Sequence, residues 1–135
     1  MTLPQFFERY ANVSLGPEPE ALATLYAPSF IVGGPQGSMM FPNDERFIDW
    51  LTQMSAFNRT HGMRALRPVA IDERPLSPRH TLATVRWGAQ FDKTGDRLIE
   101  FDIAYLLEAA AGAWTILAYI SERDQEEEMK TLGLL

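Results

Sequence analysis

Between Leu82 and Ser121, apolar and polar residues alternate with a period of two through three runs, LATVRWGAQF, RLIEFDIAYLLE and AWTILAYIS, which DKTGD and AAAG separate. Alternation of this kind marks a strand with one face buried, because successive side chains point to opposite sides of a sheet. One face gathers Val85, Trp87 and Phe91 from the first run, Phe101, Ile103 and Tyr105 from the second, and Trp114, Ile116, Ala118 and Ile120 from the third. The other face is mixed, with Thr84, Arg86, Glu100, Asp102, Leu117 and Tyr119. The pattern predicts an antiparallel meander with one wholly apolar face.

Ahead of the meander the period changes to that of helices. Thr2, Pro4 and Gln5 form a helix start with a capping box, and Phe6, Phe7, Tyr10 and Val13 share one helical face until Gly16 and Pro17. A second, shorter helix is expected from Pro19, with Leu22, Leu25 and Tyr26 as its stripe and Pro28 as its stop. Phe30 to Val32, the turn residues GGPQGS, and Met39 to Phe41 predict a small hairpin. Asn43 or Asp44 caps a third and longest helix, in which Phe47, Trp50, Leu51, Met54 and Phe57 recur until His61 and Gly62. From Met63 the chain is extended, and Pro68 removes a ladder donor, which implies an edge strand or a bulge. After the meander, Ser121 is placed to cap a terminal helix bearing Glu126, Glu127 and Glu128, a solvated acidic face.

Composition narrows the classes. The 135 residues fit one domain spanning 1–135, and 46% hydrophobic residues suffice for a core. A net charge of -6 with no basic stripe argues against nucleic acid and against an anionic membrane surface. With no cysteine there is no disulfide, thiolate nucleophile or Cys-ligated metal, and no residue calls for a metal or an organic cofactor. Glu8 and polar neighbours interrupt the apolar residues of the N-terminus, which reads neither as a secretory signal nor as a spanning helix, so a cytoplasmic location is expected.

Helix, helix, hairpin, long helix, four strands and a terminal helix give an α+β chain: a curved sheet wrapped around N-terminal helices. In FERYANVS, EALATLYAPSFIV, VGGPQGS and FDIAYLLEAAAGAWTILAYIS the chain resembles the nuclear transport factor 2-like superfamily, over nearly its whole length. The resemblance implies the cone-shaped, cystatin-like fold shared by ketosteroid isomerases, SnoaL-like cyclases and scytalone dehydratase. It implies no single activity. Steroid isomerisation would need a tyrosine, a base and a protonated acid. Tyr10 matches the tyrosine, but Gly34 stands where the base is expected and Ala104 where the acid is expected.

Register reasoning adds a candidate cluster. A three-residue turn at Lys93–Gly95 places Arg86 opposite Asp102, and a four-residue turn at Ala109–Gly112 places Tyr119 opposite Asp102. The result would be a row, Arg86–Asp102–Tyr119, readable either as an exposed ion pair beside a hydroxyl or as a polar cluster in a cavity. Burial favours the apolar face beneath the helices, whereas alignment to the isomerase-like members favours the Asp102 face. Candidate catalytic groups are therefore Asp102, Arg86, Tyr119 and His61, and candidate ligand contacts are Tyr10, Trp50, Trp87 and Tyr105. Three functions stand open: a binder of a small apolar or aromatic molecule, a cofactor-independent isomerase, cyclase or dehydratase of the SnoaL-like kind, and a ligand-free dimerisation module. Both sheet faces carry enough apolar surface to predict a homodimer through the sheet.

Overall fold

The N-terminal capping box forms as its sequence requires: Gln5 N donates to Thr2 Oγ1 at 3.3 Å, and Thr2 N donates to Gln5 Oε1 at 2.9 Å. It opens α1, Leu3–Ser14, in a computed structural model that describes residues 1–122. There follow α2 (Pro19–Ala23), β1 (Tyr26–Gly34), β2 (Gly37–Pro42), α3 (Glu45–Thr60), β3 (Met63–Pro75), β4 (His80–Phe91), a 3-10 turn (Asp92–Thr94), β5 (Ile99–Ala110) and β6 (Ala113–Ser121). The expected terminal helix with its acidic run lies outside the described residues.

The strands make one six-stranded sheet in the order β2-β1-β6-β5-β4-β3. Every neighbouring pair is antiparallel except β1 with β6, which run parallel. β3 is the edge strand that Pro68 demands, and its ladder slips between Pro68 and Ala70, leaving Val69 as a bulge. Asp44 caps α3 by accepting a hydrogen bond from Arg46 N at 3.0 Å.

Helices and sheet meet through the apolar face of the meander. Leu3, Phe6, Phe7 and Tyr10 of α1 are buried together with Val85, Trp87, Ile103 and Tyr105. The Phe7 ring lies 4.9 Å from that of Tyr105 and 6.1 Å from that of Trp87. Each large side chain so covered contributes on the order of 2 kcal/mol, and that drive places the Arg86 and Asp102 face outside.

Three local expectations need correction. Leu25 and Tyr26 do not belong to α2; β1 begins at Tyr26, and the Asn43 amide fixes the junction by donating to the carbonyls of Ala23 (2.8 Å) and Tyr26 (3.1 Å). The turn between β5 and β6 has two residues, not four: Ala110 pairs with Ala113, and Ala111 and Gly112 both take positive φ, 52° and 78°. This is the mirror-image turn whose twist matches that of the flanking strands. Leu117 then bulges, since Leu106 pairs with Ala118 and Leu107 with Ile116. Beyond the bulge the faces exchange. Tyr119 lies opposite Tyr105 on the inner side, and Ile120 points outward, 44% exposed.

Candidate functional site

Between α1, α3 and the inner face of the sheet lies an open cavity of about 470 Å³. Its floor is aromatic. All four tyrosines of the chain line it, as do Trp87, Phe91 and Phe101 from the sheet and Phe47 and Phe57 from α3. Among the described lining residues there is no carboxylate, imidazole, ammonium or guanidinium group; the polar ones other than tyrosine are Ser14, Ser55 and Asn58.

The tyrosines reach the cavity by different routes. Tyr10 comes from the buried face of α1, Tyr26 from the first position of β1, and Tyr105 from the inner set of β5. Tyr119 arrives only because the Leu117 bulge turns it inward, and its ring then stands edge-on to Tyr105 at 5.5 Å.

Three hydroxyls and one indole form a polar cluster. Trp87 Nε1 donates to Tyr105 Oη at 3.0 Å, and Tyr10 and Tyr26 share a bond of 2.7 Å. Four donor hydrogens serve these two bonds, so the Tyr105 hydrogen and that of either Tyr10 or Tyr26 are not used in them. Burial raises the Tyr10 pKa, with the neighbouring phenols of Tyr26 and Tyr105 opposing it in part. Tyr26 and Tyr105 are held well above the ordinary phenol value, first by burial and then by the proximity of the other tyrosines. The tyrosine cluster is therefore neutral near pH 7 and acts as a hydrogen-bond donor, not as a base.

Of the expected ligand contacts, Tyr10, Trp50, Trp87 and Tyr105 all line the cavity. Trp50 sits at its mouth, 49% exposed, with its ring stacked near that of Phe47 at 6.3 Å. The expected catalytic groups divide. Arg86 and Asp102 do pair, Nε to Oδ1 at 3.0 Å and Nη2 to Oδ2 at 3.2 Å, but on the outer face, away from the cavity. Asp102 raises the Arg86 pKa through this hydrogen bond, the behaviour of a surface ion pair. Tyr119 is on the opposite face, so the row Arg86–Asp102–Tyr119 does not form. His61 closes α3 by donating from Nδ1 to the Phe57 carbonyl at 2.8 Å and is not among the lining residues. Gly34 and Ala104 also lie off the cavity, Ala104 because it alternates with the inward Ile103 and Tyr105.

Residues 2–124 match the sequence family described as NTF2-like protein (DUF6841). The chain belongs to this NTF2-like family. No curated protein matches it in sequence. Solved structures with the same architecture include a Nostoc punctiforme domain of unknown function with a cystatin-like fold, at TM-score 0.68 and 14% identity, covering 98% of this chain and 84% of that one. A putative calcium/calmodulin-dependent protein kinase II association domain from Xanthomonas campestris superposes at TM-score 0.61 and 17% identity, over 90% and 84% of the two chains. A Catenulispora acidiphila protein with a ketosteroid isomerase-like fold, solved with trimethylamine, gives 0.60 and 16%, over 99% and 96%. At these identities the likeness is one of fold. Within that NTF2-like frame the sheet is curved but unclosed, and the cavity occupies the space between it and the helices. No helix among the described residues is long and apolar enough to cross a membrane.

Sequence reasoning missed Tyr26, read as a helix residue, along with Ser55 and Asn58. The pairing of Tyr26 with Tyr10 joins residues 16 positions apart, which no local period encodes.

Proposed function

We propose that this NTF2-like protein binds a small, uncharged, apolar or aromatic molecule in the cavity between α1, α3 and the sheet. The observation that carries the reading is the lining: aromatic and aliphatic throughout the described residues, with neutral tyrosines as its deepest polar groups and no group that would exchange protons near pH 7. Pairing of Asp102 with Arg86 on the other face removes the strongest acid–base candidate from the cavity. An open volume of about 470 Å³ also sets the chain apart from a module whose cavity is filled by its own side chains. Trimethylamine in a neighbour of the same fold is an instance of a small molecule held by that protein.

The test is a fluorescence titration with N-phenyl-1-naphthylamine, a neutral aromatic probe that brightens out of water. Saturable one-to-one binding is expected, weakened severalfold by Trp50→Ala and abolished by Leu51→Trp, which fills the cavity. Asp102→Asn is expected to bind as the wild type does. Unsaturable binding, or binding indifferent to Leu51→Trp, would remove the proposal.

The outer face supports a homodimer. Met40, Ile31, Ala118, Leu106 and Leu82 are register neighbours in one apolar row across five strands, and Met40 at its end is 71% exposed. A second copy laid across this row would cover apolar surface that one chain leaves in water. One structural neighbour is described as a putative association domain.

A further inference from the structure

Along α3 the residues that face the cavity change character. Phe47, Trp50, Leu51 and Met54 are apolar, and beyond them Ser55 and Asn58 join Phe57 on the lining. Helical serines and threonines commonly bond back to the carbonyl four residues earlier. Ser14 does so to Tyr10 O at 2.7 Å, and Thr52 does so to Ile48 O at 2.9 Å. Ser55 and Asn58 have no side-chain hydrogen bond to any described residue, and their polar atoms are not sealed from water. Other lining residues, among them Met63, Phe91 and Ile99, carry no side-chain N–H or O–H donor. The cavity thus carries two polar groups, the tyrosine cluster with its spare phenolic hydrogens and the Ser55–Asn58 pair, among aromatic and aliphatic lining residues.

We propose that Ser55 and Asn58 form a second polar subsite, so that the ligand is a neutral, largely aromatic or alicyclic molecule with a hydrogen-bond acceptor at one end and a hydroxyl or amide group at the other. The proposal rests on the apolar-ligand reading above and adds the polar groups the ligand carries and where each sits. Asn58 offers both a donor and an acceptor, so it accommodates a hydroxyl in either role, while the spare phenol hydrogens only donate. A charged group fits neither end, since no described lining residue carries the opposite charge.

The test is displacement of N-phenyl-1-naphthylamine by a matched series: fluorene, fluoren-9-one, and 2-hydroxy- and 3-hydroxyfluoren-9-one. Wild-type protein should prefer fluoren-9-one to fluorene, and at least one hydroxyfluorenone to fluoren-9-one, each step by about threefold to tenfold. Asn58→Leu with Ser55→Ala should erase the hydroxyl step and keep the carbonyl step; Tyr10→Phe, Tyr26→Phe and Tyr105→Phe together should do the reverse. Equal affinity for hydroxylated and plain fluorenone in the wild type, or a hydroxyl preference that survives Asn58→Leu with Ser55→Ala, would overturn the subsite and leave the apolar pocket standing. If none of the series displaced the probe, both readings would fall.

Discussion

The shared hydrogen bond of Tyr10 and Tyr26 is where one atom matters most. Both rings are buried, so Tyr26→Phe leaves the Tyr10 hydroxyl short of a partner and is expected to cost about 1–3 kcal/mol. The double variant Tyr10→Phe with Tyr26→Phe should cost less than the sum of the two single changes, measured by urea unfolding. The phenols also make stability depend on pH. Their folded pKa values lie above the unfolded value of about 10. Their contribution is therefore complete below that pH and lost as the pH rises through the folded values. Unfolding midpoints should fall above about pH 10, and less steeply in Tyr26→Phe. Sequence alone makes Tyr10 visible, as part of the buried stripe of α1. It leaves Tyr26 ambiguous, because a residue after a five-residue helix fits a helix end or a strand start equally well, and the Asn43 clamp that decides comes from 17 residues away.

Among the elements, β6 carries the main lesson. Alternation assigns its faces correctly up to Ile116, then the Leu117 bulge inverts them, sending Tyr119 into the cavity and Ile120 out. A bulge adds one residue to one strand and leaves composition untouched, so a period-two reading has no signal for it. The β4–β5 register, with Arg86 against Asp102 and Trp87 against Phe101, is the one the sequence predicts, but the connection is wider than the expected three-residue turn: the ladder ends at Ala89 against Ile99, and a 3-10 turn, Asp92–Thr94, precedes Gly95 at φ 61°. AAAG is less informative, because Ala111 takes a positive φ that its sequence does not advertise. That strain predicts a gain: Ala111→Asn should stabilise by about 0.5–1 kcal/mol, read as a raised urea midpoint, since asparagine tolerates the left-handed region and favours this turn. An unchanged or lowered midpoint would count against the turn assignment. Gly88 shows a close approach of another kind: a Cβ there would lie 2.8 Å from Cγ2 of Val69, the bulged residue of β3.

For the whole molecule, the helices and strands follow from hydrophobic period, whereas the sides of the sheet follow from burial. Trp87, Ile103 and Tyr105 could not be left in water, so the apolar face turned toward α1 and the Arg86–Asp102 pair was left outside. The proposed homodimer belongs to this scale. Light scattering at micromolar concentration should give twice the chain mass, and Ile31→Glu with Leu106→Glu should reduce it to one chain; a wild-type monomer would refute the dimer. Binding in the cavity is read most directly from intermolecular NMR contacts between N-phenyl-1-naphthylamine and methyl groups of the protein. Contacts to Leu51, Met54 and Ile103, which line the cavity, are expected. Contacts confined to Leu82, Leu106 and Ile31 of the outer face would rule out binding in the cavity.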